Sequence, residues 1–369
     1  MIGKQVPGIC AVLVWTILVI PAKCHTPFFI FGDSLLDAGN NLYLNGTAKI
    51  TASLPYGETF FKENPTGRVC DGRIIPDFIA EYANLPLIKP YLEPGFSNYT
   101  DGVNFASAGA GILPETSPGT IYLKLQLSYF EKVTEKLKQQ EGESKAAELL
   151  TNAVYLFSMG GNDYMHVAMK STMPSLGNTN TTSQPLTSTF KKQYAITVLS
   201  NLTSVIKQVY ATGGRKFLFQ TVGPLGCMPS NRIGSGSKGC AHDVSVLAKM
   251  HNTALSKVLL RLQKTLPGFK HGLFDYYSAL SERTNYASRF GFEEGQTACC
   301  GSGNYNGQFT CGKNGTNAYN LCSDPTKYVW FDAAHPTESA NKQLSDLLWA
   351  GPLRVVGPYN AKALFDTAS

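Results

Sequence analysis

Short apolar runs bounded by chain breakers alternate with longer amphipathic stretches, and this alternation restricts the chain more than any other feature. The runs lie at residues 28–31, 153–157, 216–222, 271–274 and 328–331. The amphipathic stretches lie at 75–83, 122–140, 188–211, 241–265 and 336–350. In the last of these Ala340, Leu344, Leu347 and Leu348 share one helical face. A short run that is apolar throughout fits a strand buried on both sides. Such strands separated by helices predict a mostly parallel sheet with both faces covered, an α/β fold in the form of a three-layer α/β/α sandwich. A chain of 369 residues can bury a large core without metals or crosslinks. With 43% hydrophobic and 16% charged residues it is not a disordered chain. Ligands in open parallel sheets bind beyond the carboxyl ends of the strands. The segments that follow the runs are therefore where chemistry is expected.

The first 24 residues read differently. Lys4 supplies a positive start, residues 9–20 form an apolar run too short for a comfortable bilayer span, and Pro21 ends it. Ala22 and Cys24 place small residues at −3 and −1, so residues 1–24 are expected to be a signal peptide and residues 25–369 a single domain. No later segment has 18 consecutive apolar residues, so no stable membrane insertion is expected. Without Lys4 and Lys23 the chain carries 30 Lys and Arg against 26 Asp and Glu, with no basic block. Nucleic acid is a poor partner for such a surface.

Cysteine usage agrees with export. Seven cysteines follow the leader: Cys70, Cys227, Cys240, Cys299, Cys300, Cys311 and Cys322. Cys227 and Cys240 flank a Gly/Ser loop and are the easiest pair to assign. The adjacent Cys299 and Cys300 are awkward zinc ligands, and no His sits at ligand spacing from them, so the cluster reads as disulfides whose pairing stays open. The count is odd, and Cys70, remote from the rest, is the expected free thiol. Asn45, Asn98, Asn180, Asn201 and Asn314 each begin an Asn-x-Ser/Thr acceptor, which predicts glycosylated surface loops. The expected destination is extracellular, with the vacuole as an alternative.

Four segments carry the chemistry. The first run leads into Gly32-Asp33-Ser34, with Asp37, Asn40 and Asn41 following. Ser34 would sit at the strand tip after a glycine that allows a tight turn. Gly39 lies too far downstream for a G-x-S-x-G elbow, and no Gly-Lys-Ser/Thr makes a phosphate loop. The second run leads into Gly160-Gly161-Asn162-Asp163. The Asn162 amide can donate to a developing oxyanion from a dry site. Between them Gly102 to Gly111 is rich in small residues, and a free amide such as that of Gly109 would serve as a second donor. Near the end stands Asp332-x-x-His335-Pro336. Proline suits the first helical turn, which places His335 at an N-cap. A carboxylate three residues away would fix the imidazole tautomer and free its other nitrogen as a base. Each segment alone has a duller reading as a cap, a turn or close packing. Together they supply a nucleophile, oxyanion donors and an Asp–His pair, the parts required for acyl transfer.

These blocks, Phe31-Gly32-Asp33-Ser34 through Asn41, Gly160-x-Asn162-Asp163 and Asp332-x-x-His335-Pro336, resemble the plant GDSL esterase/lipases of the SGNH hydrolase superfamily. The resemblance runs from about residue 27 to the C-terminus and includes Cys299-Cys300-Gly301 and Gly357-Pro358-Tyr359-Asn360. Cys70 stands where relatives often have Ser. The resemblance implies a flavodoxin-like α/β/α sandwich with no metal or organic cofactor. It implies Ser34 as nucleophile, His335 as general base and then acid, and Asp332 as the group that orients His335. It implies an oxyanion hole made by the Ser34 and Gly109 amides and the Asn162 side chain. The expected reaction is hydrolysis of a carboxylic ester, of a small acyl group or a lipid. The alternative is an acyltransferase that passes the acyl group to an alcohol in specialised metabolism. A silent binding protein and a flavin protein fit less well, the first because the four residues are intact and the second because of the export signals. Activity should rise with pH around the ordinary His range of about 6–7. The helix at 122–140 and the loop at 171–188 are the candidates for a lid.

Overall fold

The computed structural model describes residues 26–45, 50–62, 64–172, 186–233, 239–313 and 319–367. Its central sheet has six strands: β1 (Phe28–Gly32), β2 (Gly102–Asn104), β3 (Val154–Ser158), β4 (Lys216–Gln220), β5 (Lys270–Phe274) and β10 (Val356–Pro358). The spatial order is β10-β5-β4-β3-β1-β2, with every pair parallel except the β10 edge. Four smaller strands lie outside it: β6 (Glu294–Ala298), β7 (Cys300–Gly301), β8 (Asn320–Leu321) and β9 (Tyr328–Trp330). Among the described residues there are ten α-helices: α1 (Ile75–Tyr82), α2 (Leu123–Glu141), α3 (Glu143–Asn152), α4 (Gly161–Thr172), α5 (Ser188–Ala211), α6 (Pro229–Arg232), α7 (His242–Thr265), α8 (Tyr276–Asn285), α9 (Glu338–Ala350) and α10 (Ala361–Asp366).

Strand alternation sends neighbouring aromatics to opposite faces. Phe29 and Phe31 stack on their register partners Tyr155 and Phe157, with centroids 5.5 Å and 4.6 Å apart. These stack in turn on Phe217 and Phe219 at 5.5 Å each. Phe130 of α2 meets Phe29 and Phe31 edge-on. On the other face Phe28 meets Phe365 of α10 at 5.5 Å. α2 packs on α3 and α5, and α5 on α7; α9 packs on α1 and α10. The expected three layers are thus present. Parallel strands buried on both faces need this cover, because each face carries aromatic area that water would not accept.

The sequence placed the long elements and missed the short ones. β2 and β10 have three residues each, too few to show a run, and α3, α4, α8 and α10 were not expected. The run at 328–331 was expected beside the others. Instead β9 pairs with β6 in a separate two-stranded sheet, where the Trp330 indole donates to the Gly295 carbonyl at 3.0 Å. The region 291–325 holds β6, β7 and β8 rather than unrelieved loop. The stretch at 122–140 is α2, and its apolar face is spent on the core. Most of the loop at 171–188 lies outside the described residues, as do the leader, Asn180 and Asn314. Asn45, Asn98 and Asn201 are exposed.

Cys227 joins Cys240, as expected, and the cluster pairs as Cys299–Cys322 and Cys300–Cys311. Cys70 is the free, buried cysteine among the described residues. Phe130 should be the sensitive point of the aromatic stack. Phe130→Ala is expected to cost about 3–5 kcal/mol in denaturant unfolding. Leu353→Ala, at a side chain 74% exposed, should change stability by less than about 0.5 kcal/mol.

Candidate functional site

Because β1, β2 and β3 are parallel, their carboxyl ends lie along one edge of the sheet. After Gly32 the chain turns, with the Leu36 amide donating to the Asp33 carbonyl, and Ser34 stands at the tip. Gln126 of α2 braces the strand end by bonding both the amide and the carbonyl of Gly32, at 3.0 Å and 2.8 Å.

The segment after β2 is strung between two anchors. On the β1 side, Asp37 accepts the amides of Gly39, Asn40 and Ala108. Asn40 donates to the carbonyls of Asn104 and Ala106, and Asn41 to that of Ala108. On the β3 side, α4 begins at Gly161 after Gly160 turns with φ +115°. Asp163 in its first turn accepts the amides of Ile112 and Leu113 at 2.9 Å and 3.0 Å and the Thr116 hydroxyl at 2.6 Å. Asn162 donates to the Ala110 carbonyl at 3.0 Å. An amide nitrogen carries two hydrogens, so one remains for a ligand. Gly109, at the middle of the segment, has φ +82°, a conformation that favours glycine. Neither the Ser34 nor the Gly109 amide donates a hydrogen bond among the described residues. Both residues line a cavity of about 320 Å³ together with Asn162 and His335. The positive end of the α4 dipole lies at the same place.

Asp332 and His335 follow β9, not a strand of the central sheet. His335 does not cap a helix. The cap is Thr337, whose hydroxyl accepts the Ala340 amide, and α9 starts at Glu338. Pro336 is instead extended and bridges Trp330. The Thr337 hydroxyl takes the cap because it satisfies an orphan amide of the first turn, which Pro336 at that place would not. With His335 before the cap, its ring is free to turn back. His335 Nδ1 lies 2.7 Å from Asp332 Oδ1, and Nε2 lies 2.8 Å from Ser34 Oγ. An ionised carboxylate only accepts, so Nδ1 carries the proton and Nε2 accepts the serine O–H. Asp332 Oδ1 also accepts the amides of Ala334 and His335 at 2.9 Å each. The fragments expected from four distant segments thus meet at one cavity.

The charges are coupled. Burial favours neutral Asp332, but His335 and the donors around it outweigh that and hold the carboxyl below its usual range. Burial likewise works against charged His335, and Asp332, aided by Asp33, overcomes it and raises the imidazole above its ordinary value. Asp33, next to the serine, is pushed up to about 7 by burial, against the pull of the Leu35 amide and His335. Much of the remaining wall is apolar, with Met159, Met165, Val222, Leu225, Met228 and Leu280, and Asn41, Ser158 and Thr221 add polar groups to it.

A family model described as GDSL-like lipase/acylhydrolase matches residues 28–348. The chain belongs to that family. Two Arabidopsis thaliana proteins named GDSL esterase/lipase 1 and GDSL esterase/lipase 4 are 46% and 45% identical to it, covering 93% and 91% of this chain and 90% and 89% of their own lengths. A protein named GDSL lipase from Tanacetum cinerariifolium is 43% identical over 95% of this chain and 92% of its own. Membership makes the GDSL chain a carboxylic ester hydrolase.

Sequence reasoning assigned no role to Gln126 or to Tyr56, whose hydroxyl donates to Asp332 Oδ2, and Asp163 was read as part of a turn and of the Gly160-x-Asn162-Asp163 block without a contact of its own. Asp163 was the one with a visible signal, since an acid beside Asn162 at a strand tip has amides to receive. Its contacts hold Ile112, Leu113 and Thr116, just beyond Gly109, against the start of α4 that carries Asn162. Asp163→Asn, which puts a donor against donors, should lower kcat by roughly ten- to a hundredfold with little change in KM. Removal of an oxyanion donor itself should cost more, about 10²–10³. Steady-state kinetics on purified, folded variants would decide. A raised His335 value has a signed consequence. If His335 serves as a general base, it acts only after it loses its proton, so kcat/KM should climb with pH through a midpoint above the ordinary ~6.5. On the same reading Asp332→Asn should move that midpoint down and lower the maximum by on the order of 10⁴.

Proposed function

We propose that the protein is a secreted serine esterase in which Ser34 is the nucleophile, His335 the general base and Asp332 its partner. The observation that carries this reading is the continuous hydrogen-bonded line from Asp332 Oδ1 through the two ring nitrogens to Ser34 Oγ, at 2.7 Å and 2.8 Å. Ser34 Oγ adds to the ester carbonyl while its proton passes to His335 Nε2. The carbonyl oxygen becomes an oxyanion held by the Ser34 and Gly109 amides and by the free Asn162 hydrogen. His335 then gives its proton to the departing alcohol, leaving an acyl-enzyme. Water repeats the sequence and releases the acid. The apolar cavity wall suits an acyl chain and excludes water from it.

Support for secretion comes from the leader-like residues 1–24, the three disulfides and the exposed acceptors Asn98 and Asn201. The test is hydrolysis of p-nitrophenyl esters of increasing chain length by the secreted protein and by Ser34→Ala. Turnover by the wild type and its loss in the variant is the expected result. The chain length of greatest kcat/KM then separates an esterase from a lipase. Equal turnover by both folded proteins contradicts the reading. Turnover by neither, with a new ester formed when an alcohol is added, would move the reaction to acyl transfer.

A further inference from the structure

Asp332 has two carboxylate oxygens, and only one of them serves His335. The other, Oδ2, accepts the phenolic O–H of Tyr56 at 2.9 Å across 276 residues of sequence. The tyrosine is 5% exposed. Its ring packs edge-on against Phe331, the residue before Asp332, with centroids 5.4 Å apart. Around this contact lies a core cluster separate from the main one, containing Tyr56, Val69, Phe331, Cys299, Cys300 and Cys311. The Cys299 and Cys300 amides donate to the carbonyls of Trp330 and Phe331. Both cysteines are disulfide-bonded. The backbone carrying Asp332 is therefore pinned to a crosslinked segment on one side and to a buried phenol on the other.

We propose that Tyr56 is a positioning residue for the reaction: its hydroxyl fixes the Asp332 carboxylate plane and draws charge toward Oδ2, which sets how firmly His335 holds its proton. The inference rests on the esterase reading above. A carboxylate with one oxygen bonded and the other bare in a buried site is free to rotate and carries an unsatisfied acceptor. With the phenol in place both oxygens are bonded and the plane is fixed. Burial, together with Asp332, pushes the Tyr56 phenol well above its usual range, so it remains a donor wherever the enzyme would work. The other ionisable groups facing these residues are Asp33, toward His335, and Cys70 and Tyr319, toward Tyr56.

Tyr56→Phe keeps the ring and deletes the donor. The charge released from Oδ2 then favours the imidazolium. The acid limb of kcat/KM should move up by about half a pH unit. The plateau should fall roughly tenfold, as for loss of a charge-assisted hydrogen bond. A ring-fluorinated tyrosine at position 56 is a stronger donor and should move the limb down, which tests the idea even if the phenylalanine variant folds poorly. In an Asp332→Asn background Tyr56→Phe should cost less than about twofold more, because the group it acts through is gone. A limb that stays put in both position-56 variants, or the same fold-loss in both backgrounds, would falsify the assignment and leave Tyr56 a packing residue. Unchanged hydrolysis by Ser34→Ala would instead overturn the esterase reading itself.

Discussion

The buried carboxylate of Asp332 is the point on which the site turns. It receives His335 Nδ1, two backbone amides and the Tyr56 hydroxyl. A charge this deeply buried is tolerable only when its lone pairs are filled. That requirement explains otherwise unrelated features. The 331–335 turn must fold tightly so that the amides of Ala334 and His335 reach Oδ1. Phe331 closes that turn by donating its amide to the His335 carbonyl at 2.7 Å. The crosslinked segment at 299–322 supports it from outside. The imidazole is then held on one side by charge and offers the other to Ser34.

A second constraint governs the opposite wall. The segment carrying Gly109 has no strand or helix of its own, yet it must present an amide with sub-ångström fidelity if it is to meet an oxyanion. Its rigidity is borrowed from the β1 loop through Asp37, Asn40 and Asn41, and from α4 through Asn162 and Asp163. Both anchors sit at carboxyl ends of parallel strands that the aromatic stack holds in register. Core packing and site geometry are therefore linked: the rings of Phe31 and Phe157 fix the spacing of the strand ends that lead to Ser34 and Asn162.

Much of this was legible in the residues. A continuous Phe-Phe-Ile-Phe run can be little else than a strand covered on both sides, and the Gly-Asp-Ser and Asn-Asp blocks stand where such strands must end. Cys227 and Cys240 were readable because they stand only 13 positions apart, on either side of a Gly/Ser stretch. What was not legible depended on distance or brevity. Nothing near Tyr56 announces a carboxylate 276 residues away. The three-residue strands β2 and β10 owe their state to neighbouring strands rather than to local pattern. The apolar run at 328–331 has the composition of a core strand, but its partner is chosen by Trp330 and the chain around Gly295. Pro336 pointed to a helix start capped by His335, but the Thr337 hydroxyl caps α9 instead, and His335 stands before the helix with its imidazole against Ser34.

The most direct measurement of the central claim is covalent labelling with a serine-directed alkyl phosphonate, followed by peptide mass spectrometry. If Ser34 is activated by the His335–Asp332 pair, the wild type should carry one adduct, on the peptide containing Ser34. His335→Ala should label far more slowly under the same conditions. An adduct on any other residue, or labelling of Ser34 that is indifferent to the loss of His335, would contradict the account.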